Sequence, residues 1–239
     1  MKTKIVAVIN QKGGTGKTTT TINLGSALSK QGHKVLLVDL DPQSNLSYSL
    51  AVSSPDQSLA EAFLGTKSIK DILIEKDGLW VAPGSNELVD VEISLVSQPE
   101  REQFLKTMLQ QIKGFDYVLI DCPPSLSVLT LNALTAAHEV LIPLQMEVLT
   151  LQGLDQIMHT IAKVKKAFNP KLKIKGIVVV MFDVRRKLSQ EVLAYLQENV
   201  KEKIFESQIR LNVKLAEAPS FGKSELDYDR SSNGAKDYA

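Results

Sequence analysis

Continuous apolar runs alternate along this chain with segments whose apolar residues recur every three or four positions. The runs fall within residues 5–9, 34–40, 79–82, 117–121, 139–143 and 175–181, with a shorter one at 203–206. Their continuity predicts strands buried on both faces rather than on one. Helical spacing appears at 18–31, where Ile22, Leu24, Ala27 and Leu28 share a face and Gly32 ends the pattern. It returns at 99–113, 126–137, 151–168 and 188–200, with short helices expected at 59–64 and 69–74, a turn at 53–58 and a last helix opening at Gly234. Strand following helix in this way predicts an α/β fold: a doubly wound, mostly parallel twisted sheet with helices on both faces. No linker, internal repeat or low-complexity run interrupts the pattern, so residues 1–239 are expected to form a single domain.

Composition narrows the classes. Apolar residues make up 44% of the chain and charged residues 23%, with a formal net charge of +1, which excludes a globally basic protein and confines any nucleic-acid contact to a local patch. One cysteine, Cys122, cannot form an internal disulfide, which points to a reducing, cytoplasmic setting. No run approaches the roughly 18 apolar residues of a membrane span. The first strand begins almost at Met1 and leaves no room for a signal peptide.

The candidate chemistry gathers where strands end. Residues 5–19 read IVAVINQKGGTGKTT, a buried strand, a glycine turn and the opening of a helix. Backbone N–H groups of such a turn converge on an anion, the positive end of the helix dipole faces it, and a lysine adds a point charge. The pattern is that of a P-loop, except that Gln11 stands at its first glycine and a second lysine, Lys12, precedes Gly13, Gly14, Thr15, Gly16, Lys17, Thr18 and Thr19. Such a loop takes a nucleoside triphosphate with Mg2+, a cation that prefers oxygen ligands. Thr18, Asp41 and Asp121 are its candidate donors, Asp121 closing the apolar strand YVLID as a Walker B carboxylate. Asp41, at the end of the second strand, is the candidate to orient the attacking water, while Asp39 would anchor loop hydrogen bonds or metal-bound waters. Lys12, poorly placed for burial in its own subunit, would reach a phosphate across a dimer interface.

The segments INQKGGTGKTTTTINLG, VLLVDLDPQSN, YVLIDCPPSLSVLTLNAL and VKLAEAPSFGKS, in this order, resemble the ParA/Soj family of deviant-Walker partition ATPases, from the N-terminus to about residue 238. The resemblance implies that Lys12 is the signature lysine, that Lys17 binds phosphate and Thr18 metal, and that Asp41 positions the hydrolytic water. It also implies that Asp121 is the Walker B residue, that residues 122–125 form a second switch, and that Arg210 and Asn212 line the base. Where the family more often has Pro-Arg-Asn-Val-Arg, this chain reads Arg210-Leu211-Asn212-Val213-Lys214. The family further implies an ATP-bound sandwich homodimer that binds double-stranded DNA nonspecifically, a ParB-type centromere-binding partner that stimulates a weak ATPase, and association with the nucleoid. The helix-turn-helix of longer plasmid relatives is not expected.

Lys163, Lys165, Lys166, Lys171, Lys173 and Lys175 fall in a stretch without acids, and Arg185, Arg186 and Lys187 follow one strand later. On their own these residues fit either a solvated basic face or a surface that grips phosphates without reading sequence. The resemblance favours the second and adds Lys214 to Arg185 and Arg186 as positions where the family places DNA-contacting arginines. A membrane-positioning ATPase of the MinD type is the alternative, and it would require a basic amphipathic helix at the C-terminus. No stable membrane association is expected from this sequence.

Overall fold

The computed structural model describes residues 3–52, 57–148 and 150–239. Eight strands form one sheet in the order β3-β4-β2-β5-β1-β6-β7-β8. These are β1 (Lys4–Val8), β2 (Val35–Asp39), β3 (Ile74–Lys76), β4 (Leu79–Ala82), β5 (Tyr117–Asp121), β6 (Glu139–Leu144), β7 (Lys173–Phe182) and β8 (Ile204–Arg210). All neighbouring pairs are parallel except β3–β4, a short antiparallel hairpin at one edge. Parallel pairing places the C-terminal ends of β1, β2 and β5 side by side, with Val8 opposite Asp121 and Asp121 opposite Asp39. In such sheets that edge is where ligands sit.

The continuous apolar runs are explained by two-sided burial. In β2, Leu36 and Val38 point into one core with Ala7, Ile9 and Ile120, while Val35 and Leu37 point into the other with Val6, Val8 and Leu119. Each fully buried leucine here contributes about 1.5–3 kcal/mol. On the second face packs α1 (Lys17–Lys30), and on the first pack α3 (Leu59–Leu64), α4 (Leu88–Leu95), α5 (Phe104–Gln110), α6 (Val128–Ala136), α7 (Thr150–Ala167) and α8 (Lys187–Asn199). The short α2 (Asn45–Ser49) follows β2. After β8 come α9 (Val213–Glu217), a 3-10 turn (Ala218–Phe221), α10 (Glu225–Tyr228) and α11 (Asn233–Tyr238), which close a third cluster against α1 around Ala27, Val180 and Tyr238. The apolar stripe of α7 is core, with Leu154, Ile157, Ile161 and Val164 buried.

Two expectations need correction. Residues 69–72 form turns rather than a helix, although Ile69 and Ile72 are buried, because the chain enters the edge hairpin at Ile74 only two residues after Ile72. The helix expected over 99–113 is confined to Phe104–Gln110, because Pro99–Gln103 turns through a positive φ at Glu100. Helices α2, α4, α9 and α10 have no counterpart in the sequence reading. The turn expected at 53–58 falls mostly on residues outside those described, and Ser58 within it caps α3 in a capping box with Glu61.

Candidate active site

The loop between β1 and α1 is braced from below. Asn10, buried, donates from Nδ2 to the Pro143 carbonyl on neighbouring β6 at 2.7 Å, and its Oδ1 accepts from the Lys12 backbone N–H at 3.0 Å. Thr15 Oγ1 donates to the Lys12 carbonyl at 3.1 Å, and Lys17 Nζ to the same carbonyl at 3.3 Å. Gly14 and Gly16 take positive φ values of 72° and 74°, which only glycine adopts without strain, and Gly16 precedes the first turn of α1. The loop therefore wraps the Lys17 ammonium, which is only 6% exposed. Burial pulls the Lys17 pKa down, and the nearby Asp121 and Asp41 carboxylates work in the opposite direction.

Three buried carboxylates stand at the neighbouring strand ends, and two of them, Asp121 and Asp41, act on that ammonium. Asp121 Oδ2 accepts from Thr18 Oγ1 at 2.6 Å, while its Oδ1 is buried without a hydrogen-bond partner. Desolvation, reinforced by Asp39, holds the Asp121 carboxyl well above the usual range. Asp41 Oδ1 accepts from the Gln43 N–H, a local turn that fixes the residue at the mouth of the site. Asp39, fully buried, accepts at Oδ2 from both the Ser47 hydroxyl (2.6 Å) and the Ser47 N–H (2.8 Å); burial raises its pKa to about 6. Ser47 Oγ in turn accepts from the Gly84 N–H at 2.9 Å. A Cβ at Gly84 would sit 2.7 Å from the Asp39 carbonyl, so only glycine lets β4 approach β2 this closely. Asp39 thus ties α2 and the end of β4 to β2. Neither Asn10 nor Ser47 was marked in the sequence, because a single Asn or Ser in a loop carries no spacing signal.

The donor set fits Mg2+. The Thr18 hydroxyl and the orphaned Asp121 oxygen are hard oxygen donors beside a phosphate-type loop, with Asp41 completing the acidic set. Among the described residues no group of three or more His, Cys, Asp or Glu side chains forms a metal cage, so water and phosphate would supply the remaining ligands. Cys122, buried behind Asp121, has its thiol pKa pushed up by burial and is inert.

Lys12 projects outward with its side chain half exposed, its Nζ 2.7 Å from Glu147 Oε2 in the loop after β6. Gln145 of that loop donates to the Gly14 carbonyl at 3.1 Å. Beside Gly16 and Thr19 lies a cavity of about 290 Å3, walled by Val180, Met181, Arg210 and Asn212 and open next to the loop. Arg210 and Asn212 therefore lie beside the loop and the first turn of α1. Arg210 is held by a bidentate pair with Asp237, and Asn212 caps α9 by accepting from the Lys214 N–H.

The basic residues do not form one patch. Arg185, Arg186 and Lys187 follow β7 on the same sheet edge as the loop, and Lys214 follows β8 there. Lys173 begins β7, and Lys165 and Lys166 end α7, at the opposite edge. The ten residues of β7, at about 3.3 Å each, set the two groups about 30 Å apart. Within the first group Arg185 is bidentate to Asp183, Lys187 pairs with Glu191 and Lys214 with Glu217.

A mostly parallel sheet, a glycine loop around a buried lysine, and acids at the neighbouring strand ends define a P-loop nucleotide-binding protein of the deviant-Walker class. Comparison with known proteins narrows this further. Residues 3–174 match the family model described as "AAA domain". The chain is 43% identical over 242 residues to the chromosome partitioning protein ParA of Caulobacter vibrioides (strain NA1000 / CB15N), covering 98% of this chain and 91% of that protein. It is 42% identical over 240 residues to the sporulation initiation inhibitor protein Soj of Bacillus subtilis (strain 168), covering 98% and 95%. A crystal structure described as cobyrinic acid a,c-diamide synthase from Mycobacterium smegmatis, with bound ATP analog and magnesium, matches with a TM-score of 0.87 and 38% identity over 99% of this chain and 91% of that one. The chain belongs to the ParA/Soj family of chromosome partitioning ATPases.

Proposed function

We propose that this protein is an ATP-dependent DNA-segregation ATPase that works as a nucleotide switch. The observation that carries the reading is the pair of lysines on one loop with opposite fates, Lys17 buried among Asp41 and Asp121 and Lys12 facing outward. Lys17 and the loop N–H groups bind the phosphates of ATP. Asp41 orients the attacking water, and Thr18 and Asp121 are the residues that would hold Mg2+. When bound, the metal neutralises charge on the β- and γ-phosphates. Lys12 leaves Glu147 and reaches the nucleotide of a second copy, so that the ATP-bound state is a sandwich homodimer. That dimer binds double-stranded DNA nonspecifically through the basic residues at the loop edge, Arg185, Arg186, Lys187 and Lys214. A ParB-type partner stimulates hydrolysis and returns the chain to monomers released from the nucleoid.

The reading is supported by family membership and by the site's donor set, and Asp41→Ala tests it. The variant should bind ATP and dimerise with it while its hydrolysis falls at least about a hundredfold, in line with loss of a water-orienting group. Turnover at the wild-type rate would remove Asp41 from this role. Failure to bind ATP would show that the carboxylate serves binding instead.

A further inference from the structure

The cavity beside Gly16 and Thr19 is walled mainly by apolar side chains, among them Val180, Met181 and Leu215. Arg210 is the one charged side chain among the described residues that line it. Its guanidinium is already engaged. Nε donates to both carboxylate oxygens of Asp237, at 3.2 and 3.0 Å, and Nη2 donates to Oδ1 at 2.5 Å. The Arg210 backbone N–H donates to Oδ2 of the same carboxylate at 2.9 Å. Exposed ion pairs usually contribute little. Here, however, the Asp237 side chain is only 10% exposed and gathers donors from both the backbone and the side chain of one residue.

Asp237 is itself anchored. It lies on α11, whose next residue, Tyr238, shares a 3.0 Å hydrogen bond with Thr20 of α1, both side chains being buried. The helix also sits close against α9, since a Cβ at Gly234 would stand 2.8 Å from Leu215 Cγ. Helix α11 therefore holds the carboxylate fixed relative to the loop, and the carboxylate fixes the guanidinium.

We infer that Asp237 is a positioning residue that closes the cavity to guanine by occupying the donor fork of Arg210. The inference rests on the nucleotide-binding reading above, with the base entering this cavity beyond the phosphates. Guanine presents two adjacent acceptors, O6 and N7, which a guanidinium meets with two parallel N–H donors. Adenine presents N7 beside an amino donor, which such a fork meets badly. An unpaired arginine on the wall of an otherwise apolar cavity would therefore favour guanine. Asp237 commits Nε and Nη2 and fixes the plane of the group, which keeps its donors off the base edge and leaves its delocalised face for stacking. Guanine O6 then gives up water without gaining a partner. Selectivity of this kind comes from withholding the contact that the wrong ligand would use.

Equilibrium dialysis of the full chain with ATP and, separately, with GTP, each with Mg2+, tests the assignment. The wild type should bind ATP more tightly than GTP. Asp237→Ala frees the guanidinium, and the ratio of the two dissociation constants should move toward GTP by about tenfold or more. Arg210→Ala/Asp237→Ala lacks the guanidinium and should show no such move, whereas a mere loosening of α11 would shift both variants alike. In steady-state rates the shift should fall on KM rather than kcat, because the base is held equally in the ground and transition states. A ratio unmoved in Asp237→Ala, a shift of the same size in the double variant, a shift confined to kcat, or a wild type that favours GTP would overturn the proposal while leaving nucleotide binding intact. A wild type that binds neither nucleotide would overturn the nucleotide-binding reading itself, and the proposal with it.

Discussion

Ser47→Ala isolates the link between the second strand and the loop that carries Asp41. The hydroxyl donates to Asp39 at 2.6 Å and accepts from the Gly84 N–H at 2.9 Å, both inside the protein. A hydrogen bond to a charged group contributes about 1.5–3 kcal/mol, and a buried N–H left without a partner costs about 1–3 kcal/mol. Together they predict a loss of about 3–5 kcal/mol at pH 8. The loss depends on pH in a definite direction. Asp39 has its pKa raised from 3.8 to about 6, so the native state binds a proton that the unfolded chain has released, and stability falls as pH rises from about 4 to beyond 6. Ser47 favours the charged form, and removing it steepens that fall. The variant should therefore lose less at pH 5, where Asp39 is largely protonated, than at pH 8. Urea unfolding of the nucleotide-free chain, followed by the fluorescence of the single Trp80, which packs edge-on against Phe115, reads this directly. For a chain of this length the pH 8 loss corresponds to a Tm lower by about 6–20 °C. A loss under about 1 kcal/mol, or the same loss at both pH values, would refute the reasoning.

Other outcomes follow from the same geometry. Lys17→Ala removes the one buried ammonium in the loop and should weaken ATP binding about a hundredfold or more in equilibrium dialysis; unchanged affinity would discard the phosphate-site assignment. Gly13→Val adds a side chain that meets nothing within 4 Å in the single chain, so the variant should fold and bind ATP normally yet sediment as a monomer. An intact ATP-dependent dimer would contradict the sandwich arrangement. Gly176→Ala places a Cβ 2.7 Å from the Lys203 carbonyl at a φ of +151°, and should cost about 2–4 kcal/mol in chemical denaturation by prising β8 from β7. A stability equal to wild type would show that the strand pair relaxes freely.

Much of this architecture was legible because two-sided burial writes continuous apolar runs into the chain: 79–82 and 117–121 emerge as strands with the expected bounds, and the loop at 9–16 falls between strand and helix as its spacing requires. Helix α4 stayed invisible because its apolar residues serve both the core and the solvent face, which erases the period of a surface helix. Residues 69–74 misled for a related reason, since Ile69 and Ile72 are buried at helical spacing while the backbone between them turns. At the site, Lys17, Thr18 and Asp121 could be named from motif spacing. Asn10 and Ser47 could not, because they act through contacts between segments apart in sequence. The lysines and arginines from 163 to 187 look like one basic tract on paper, and the length of β7 divides them between opposite edges of the sheet.

The switch itself is tested most directly by a gel-shift titration of the full chain on double-stranded DNA of unrelated sequence, with Mg2+ and either ATP or ADP, at low and high salt. The account predicts binding with ATP, little with ADP, a steep loss at high salt, and further weakening in Arg185→Ala/Arg186→Ala at the loop edge but little in Lys165→Ala/Lys166→Ala at the far edge. DNA bound equally with either nucleotide, or with no dependence on salt, would contradict it.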